Sequence, residues 1–257
     1  MEFVVTQDIY IGTVCLERTR WGRREPSFRV SEWLPRFEKD GFSGVELWEF
    51  HYTKADEAEQ ARLSAAPIAI YNSYVGFGDE DAEARERAAV AIAQLKAGAV
   101  KYNLGADAAR LDEYRRNLLS WSEQLPADCR PLCECHPGTV LENLEDAVGF
   151  FTGLDPARFG VIAHVSGGGA AGVETFMDAF GGRVAHLHLQ MRDPETDPTV
   201  PANRERLKPA FDAVKRHGFA GSLAIEFTRG IGREEDIEEL YANACADLAF
   251  CRSALAG

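Results

Sequence analysis

Residues 184–190 read Val-Ala-His-Leu-His-Leu-Gln, a short apolar run in which polar side chains alternate with leucines. A helical pattern follows at 203–217, and another apolar run follows at 221–226. This order of strand, helix and strand is typical of a parallel β-α-β unit, because parallel strands need a crossover connection. The stretch therefore predicts a parallel sheet covered by helices.

The same alternation extends along the whole chain and gives eight strand-then-helix units in 257 residues. This number favours an α/β fold of one closed (β/α)8 barrel, a TIM barrel spanning 1–257, over an open doubly wound sheet. The first strand is the least defined, because the run at 9–15 competes with the one at 3–6. Strands are predicted at 3–6, 44–48, 68–71, 99–102, 130–135, 159–164, 183–189 and 221–226, and helices at 31–40, 55–65, 79–97, 107–124, 142–152, 172–180, 203–217 and 234–254.

Composition limits the function classes that this chain can serve. Hydrophobic residues make up 46% of the chain, which is enough for a large core, and the net charge is −13. A surface of that sign repels phosphate backbones, so nucleic acid is not an expected partner. With no apolar run long enough to span a membrane and no signal-peptide pattern, we expect a cytoplasmic protein whose six cysteines are reduced and mostly packed in the core.

Polar residues near the ends of the later strands carry the functional signal. Barrel strands alternate inward and outward, so a polar inward residue near the carboxyl end lies in the active site. In the segment 130–136, Glu134 and His136 share one face, and Cys133 and Cys135 share the other. Adjacent strand residues point apart, which argues against a zinc knuckle of the Cys-x-Cys-His type. A buried salt bridge is the alternative for Glu134, because a lone buried carboxylate is costly.

Four further strands show the same feature. His186 and His188 share a face with Gln190, and Glu226 is the only charge at the end of its apolar run. Glu46 does the same in the second strand, and His164 stands where the sixth ends, although a core histidine is an equal alternative there. Converging carboxylates repel one another unless a cation lies among them. Metal binding therefore explains the set more simply than separate salt bridges.

Four motifs resemble one family of barrels. They are Gly-Phe-Ser-Gly-Val-Glu-Leu-Trp (41–48), Glu-Cys-His (134–136), His-Leu-His-Leu (186–189) and Gly-Ser-Leu-Ala-Ile-Glu-Phe (221–227). They are similar to the xylose isomerase-like superfamily, and within it to the sugar phosphate isomerase/epimerase branch. The resemblance implies one divalent metal ion bound by Glu134, His164, His188 and Glu226. His164 replaces the usual Asp, and Gln190 replaces a frequent Lys. The exchange of a carboxylate for imidazole favours Mn²⁺ (the first expectation), Co²⁺, Zn²⁺ or Fe²⁺ over Mg²⁺.

The resemblance also implies an activity. Isomerases and epimerases of this branch act on small sugar-like substrates through a metal-stabilised enediolate, with Glu134 and Glu226 as the acid/base pair. A dehydratase of the inosose type using the same site is the alternative, as is a barrel that has lost turnover and only binds a ligand. The net charge and the six histidines disfavour an endonuclease of the same superfamily.

Further site residues and assembly are also predicted. A homo-oligomer, dimer or tetramer, is implied by the resemblance. The loop at 191–203 contains three prolines and is a candidate lid, and Gly167-Gly168-Gly169 forms a second loop on the same face. The candidate substrate-binding residues are Glu46, His51, His136, His186 and Arg229.

Overall fold

The computed structural model describes residues 7–17, 24–165, 170–191, 200–230 and 236–256. Eight parallel strands form a closed barrel in the order of the sequence, and the last strand pairs with the first. The TIM barrel prediction is confirmed, and the doubly wound sheet is excluded. The strands are β1 (Ile9–Gly12), β2 (Gly44–Trp48), β3 (Ile68–Asn72), β4 (Ala99–Tyr102), β5 (Arg130–Glu134), β6 (Gly160–Val165), β7 (Val184–Gln190) and β8 (Ser222–Phe227).

One helix follows each strand and covers the outside of the barrel. Their apolar faces pack on the outward strand residues and form the main core. Short 3-10 turns join several units, and one further helical turn spans Phe50–Thr53. Among the described residues, no helix has the length and apolar character needed to cross a bilayer. The helices are α1 (Val30–Asp40), α2 (Glu57–Ser64), α3 (Ala82–Leu95), α4 (Leu111–Gln124), α5 (Leu144–Phe151), α6 (Ala170–Phe180), α7 (Val200–Arg216) and α8 (Ile237–Ala256).

The first strand differs from its prediction. The segment at 3–6 lies outside the described residues, and β1 is formed by Ile9–Gly12, which pairs with both β2 and β8. Ile9 and Ile11 are buried, whereas Tyr10 stacks on the ring of His186. The run at 9–15 therefore supplies the strand that closes the barrel.

The barrel interior changes from apolar to polar along the strands. Ile70, Leu132 and Ile162 form a small apolar cluster of their own. Two residues further along the same three strands lie Asn72, Glu134 and His164. Because all strands are parallel, their carboxyl ends meet at one end of the barrel, and the polar layer gathers there above an apolar floor.

The two loops singled out from the sequence fall largely outside the described part of the chain. These are residues 192–199 of the candidate lid and the Gly167-Gly168-Gly169 segment. None of the six cysteines forms a disulfide in the described structure, and Cys15, Cys129, Cys133 and Cys251 are buried. This confirms that most of them pack as small apolar side chains.

Closure between β1 and β8 depends on a glycine. A Cβ atom added at Gly12 would lie 2.9 Å from the carbonyl oxygen of Ile225 and 3.4 Å from the Cα of Glu226. We expect Gly12→Ala to lower the free energy of unfolding by about 1–3 kcal/mol, because the two strands must separate. Urea denaturation measures this change.

Gly149→Ala in α5 is the matched control, since no heavy atom lies within 4 Å of its added Cβ. The control should be neutral or stabilising by about 0.5–1 kcal/mol. Equal stability of the two variants would contradict the close approach of β1 and β8.

Candidate metal centre

The four predicted ligands meet at the carboxyl end of the barrel. Glu134 ends β5, His164 and His188 lie in β6 and β7, and Glu226 lies in β8. One donor atom from each lies within 4.8 Å of the others. The Nε2 of His164 is 2.8 Å from Glu134 Oε1, and the Nδ1 of His188 is 3.3 Å from Glu226 Oε2. Donors around one transition-metal ion are separated by similar distances, so this group fits a single ion.

A buried nitrogen without a partner supports the fit. His188 Nδ1 is buried and has no hydrogen-bond partner in the described part of the chain, although carboxylate oxygens of Glu226 and Glu134 lie 3.3 and 3.9 Å away. Its other nitrogen, Nε2, is 3.1 Å from Glu46 Oε2. A carboxylate only accepts hydrogen bonds, so Nε2 carries the proton and donates it. Nδ1 is then the nitrogen that faces the candidate ligands, and its lone pair would be available to an ion that displaces a proton from it, as in metal-binding histidines whose other nitrogen is held by a carboxylate.

Glu46 lies beneath the four candidate ligands and is hydrogen-bonded to one of them, His188. It is fully buried, and its Oε2 accepts hydrogen bonds from both His186 and His188 at 3.1 Å. Its other oxygen accepts from the amide of Asn72 at 2.7 Å, and His186 Nδ1 is 2.8 Å from the hydroxyl of Ser222. Glu46, His186 and His188 also form a second close group of donors. The carboxylate of that group already accepts from both imidazoles.

The electrostatics of the cluster keep its carboxylates charged. Burial alone raises the pKa of Glu134 and Glu226, but the positive charges of Lys101 (for Glu134) and His188 (for Glu226) outweigh it and lower both pKa values. Burial also opposes ionisation of Glu46, whose pKa is nevertheless held well below its usual range by His188 and His186. Burial lowers the pKa of His188, and the charges of Glu46 and Glu226 reverse this and raise it. Negative charge is therefore concentrated around the His188 ring.

The sequence analysis missed three polar residues of the cluster, namely Lys101, Asn103 and Asn72. Lys101 in β4 is 2.8 Å from Glu134 Oε2, and Asn103 bonds to both of them. The amide of Gln190, predicted on this face without a role, donates to Glu226 Oε2 at 2.7 Å. Lys101 is the only charge in Ala-Val-Lys-Tyr, so the parity argument used for Glu134 finds it too. Asn72 and Asn103 lie at or beyond strand ends and carry no such signal.

Three of the predicted substrate residues lie away from this group. His51 is buried and pairs with Glu17 at 3.0 Å. His136 is exposed, and its ring nitrogen is 2.6 Å from the carbonyl of Pro137. Strand parity does not extend to His136, because β5 ends at Glu134. Arg229 is exposed on the turn that follows β8.

The support by Glu46 can be tested by removing its charge. We expect Glu46→Gln to fold normally and to bind Zn²⁺ about 10–100-fold more weakly, because an amide no longer orients both imidazoles. Calorimetric titration of the metal-free protein measures the affinity. Glu49→Gln is the control, since Glu49 contacts Ser73 and Tyr74 rather than a ligand. Wild-type affinity in Glu46→Gln would refute the role given to this carboxylate.

Solved structures share the fold over nearly the whole chain. No protein-family model and no curated sequence matches. D-psicose 3-epimerase with D-tagatose from Clostridium cellulolyticum H10 is 15% identical, with 96% of this chain and 99% of that one covered and a TM-score of 0.64. The 3-keto-D-glucoside 4-epimerase YcjR from E. coli is 14% identical, with 96% and 99% covered and a TM-score of 0.65. The IOLI protein with a bound zinc atom is 14% identical, with 96% and 98% covered and a TM-score of 0.63. The chain thus has the barrel fold of xylose isomerase-like sugar isomerases and epimerases.

Proposed function

We propose that this protein is a divalent-metal-dependent isomerase or epimerase of a small keto-sugar or polyol. Glu134, His164, His188 and Glu226 hold the ion, and the two glutamates move the substrate proton. The observation that carries the proposal is the buried Nδ1 of His188, which has no hydrogen-bond partner among the described residues and faces two carboxylates. A buried polar atom without a partner is rare in proteins and calls for a bound species. The sugar epimerases that share the fold support the choice of substrate class.

When bound, the ion polarises a substrate carbonyl and makes the adjacent C–H more acidic. Binding requires the proton of His164 Nε2 to leave, because that nitrogen now donates to Glu134. The raised pKa of His188 favours a second proton on Nδ1 while no ion is bound, so binding displaces that proton as well, and the proton on Nε2 stays with Glu46.

The two catalytic glutamates have different surroundings. Glu226 Oε2 accepts from Gln190, and its Oε1 has no hydrogen-bond partner among the residues described. Both oxygens of Glu134 are engaged, by His164 on one side and by Lys101 and Asn103 on the other. Glu226 is therefore the group that removes the substrate proton in our proposal. Return of that proton from Glu226 to the neighbouring carbon gives an aldose–ketose shift, whereas delivery of a proton to the opposite face by Glu134, which must first take that proton from solvent, gives an epimer.

Turnover by metal-free and reloaded protein tests the proposal. We expect activity towards at least one member of a ketose panel, including D-tagatose and D-psicose, that disappears on metal removal and returns with Mn²⁺, Co²⁺ or Zn²⁺. In D₂O the product should carry deuterium at the carbon that changes, whereas a dehydratase would release a product lighter by one water. Mass spectrometry and NMR distinguish these results.

Variants assign the proton transfers. Glu226→Gln and Glu134→Gln should each lower kcat by about 10²–10⁴-fold, because each removes a proton-transfer group. Glu145→Gln, in the exposed first turn of α5, is the control and should retain wild-type turnover. Full activity in Glu226→Gln, or activity that survives complete metal removal, would rule out the mechanism.

A further inference from the structure

Lys101 is a buried cation inside the barrel that the proposed reaction does not use. Its side chain is 3% exposed, and its ammonium lies 2.8 Å from Glu134 Oε2 and 2.7 Å from Asn103 Oδ1. The ring of Tyr74 lies 4.6 Å away, over the same ammonium. A buried lysine is costly unless it is paired, so a role at this position needs an explanation.

The two oxygens of Glu134 face opposite sides of the cluster. Oε1 faces the other ligands, 2.8 Å from His164 Nε2 and 3.9 Å from His188 Nδ1. Oε2 faces away and is occupied by Lys101 at 2.8 Å and Asn103 at 3.1 Å. Only one oxygen of this carboxylate is therefore available to an ion held by the cluster.

Among the described residues, no lysine or arginine side chain pairs with Glu226, the other carboxylate of the group. Its Oε2 accepts from a neutral amide, that of Gln190. The four ligands thus supply two imidazoles and two carboxylates. One of the carboxylates, that of Glu134, is already paired with an ammonium through the oxygen that faces away from the other ligands. An incoming dication meets less negative charge than the ligand set alone would provide.

We propose that Lys101 makes the site selective for Zn²⁺-like ions over Mg²⁺. Its ammonium is a permanent counter-charge that occupies Oε2 of Glu134, so only one oxygen of this carboxylate can bind an ion. The inference rests on the proposed function, because it assumes that the four residues hold a metal. Lys101 acts through Glu134 and is a positioning residue.

The physical reason lies in what each ion demands. Mg²⁺ needs a full set of oxygen ligands and prefers not to lose its water, whereas Zn²⁺ binds strongly to a few nitrogen and oxygen donors. Repulsion from the ammonium weakens the binding of every dication, and the ion that binds most weakly is the first to leave the site unoccupied. Occupation of Oε2 also removes an oxygen that a hard ion would use.

Three lysine variants and one control test this role. Lys101→Met removes the charge at similar length, Lys101→Gln keeps a hydrogen-bond donor without charge, and Lys101→Arg keeps the charge. Lys215→Met is the control, because it removes an equal charge from α7, where Lys215 pairs with Asp212. Calorimetric titration of each metal-free protein with Zn²⁺ and with Mg²⁺ gives the affinities.

We expect Lys101→Met and Lys101→Gln to bind both ions more tightly, by about tenfold or more, with the larger gain for Mg²⁺. Lys101→Arg and Lys215→Met should keep the wild-type affinities and the wild-type ratio between the ions. The metal-free Lys101→Met protein should melt at a lower temperature than wild type, and Zn²⁺ should raise its Tm by more than it raises that of wild type.

The results separate this inference from the proposed function. Affinities of Lys101→Met and Lys101→Gln within twofold of wild type, or loss of metal binding in both, would overturn the role of Lys101. If metal-free Lys101→Met does not fold, the comparison rests on Lys101→Gln and on Tm values measured with each ion present. Failure of the wild-type protein to bind any dication would instead refute the metal site itself, before any variant is compared.

Discussion

Three carboxylates are buried inside one barrel, and the rest of the site is arranged around the cost of burying them. A single carboxylate without a partner in such a place is strongly unfavourable. His188 is the group common to all three, at 3.1 Å from Glu46, 3.3 Å from Glu226 and 3.9 Å from Glu134. Removal of one member leaves the others with uncompensated charge, and breaking a buried pair in this way is more damaging than losing a surface contact. The cluster therefore behaves as one unit, and its members should be substituted with isosteric residues.

The apolar floor strengthens the electrostatic interactions within this cluster. Ile70, Leu132 and Ile162 fill the barrel below the polar layer and keep water from reaching it from that side. Electrostatic interactions are stronger where water is excluded, so both the attraction to a cation and the penalty for lacking one increase. β5 and β6 supply both layers, with a spacing of two residues between floor residue and candidate ligand. A shift of one residue in register would exchange inward and outward side chains, so strand register and the ligand set are linked.

Strand parity explains which parts of the structure could be predicted from the sequence. It places Glu134, His188 and Glu226 inward because each lies within a strand whose neighbours are clearly apolar. The same argument would have found Lys101, whose single charge in a short strand was overlooked. The argument fails for His136, because the alternation of inward and outward side chains ends with the strand, and the sequence does not show at which residue the strand ends. It could not choose between the runs at 3–6 and 9–15 either, since both are apolar and only pairing with β2 and β8 distinguishes the second. The pairing of His51 with Glu17 depends on tertiary contacts that no local pattern records.

Positive and hydrogen-bonding groups are distributed unevenly around the three buried carboxylates, and in the part of the chain that the structure describes Glu226 has the fewest of them. Glu46 is held by two imidazoles, and Glu134 is held by an ammonium. Among the described residues, the partners of Glu226 are the amide of Gln190 and the ring of His188, whose Nδ1 lies 3.3 Å away. The least compensated charge therefore lies next to the nitrogen that has no partner. A cation that enters from the carboxyl end of the barrel is attracted most strongly to the space between Glu226 and His188 Nδ1. Lys101, on the opposite side of Glu134, repels a cation towards that same space. In the proposed mechanism, the position of an ion and the availability of Glu226 as a proton acceptor both depend on this asymmetry, which begins with the lysine on β4.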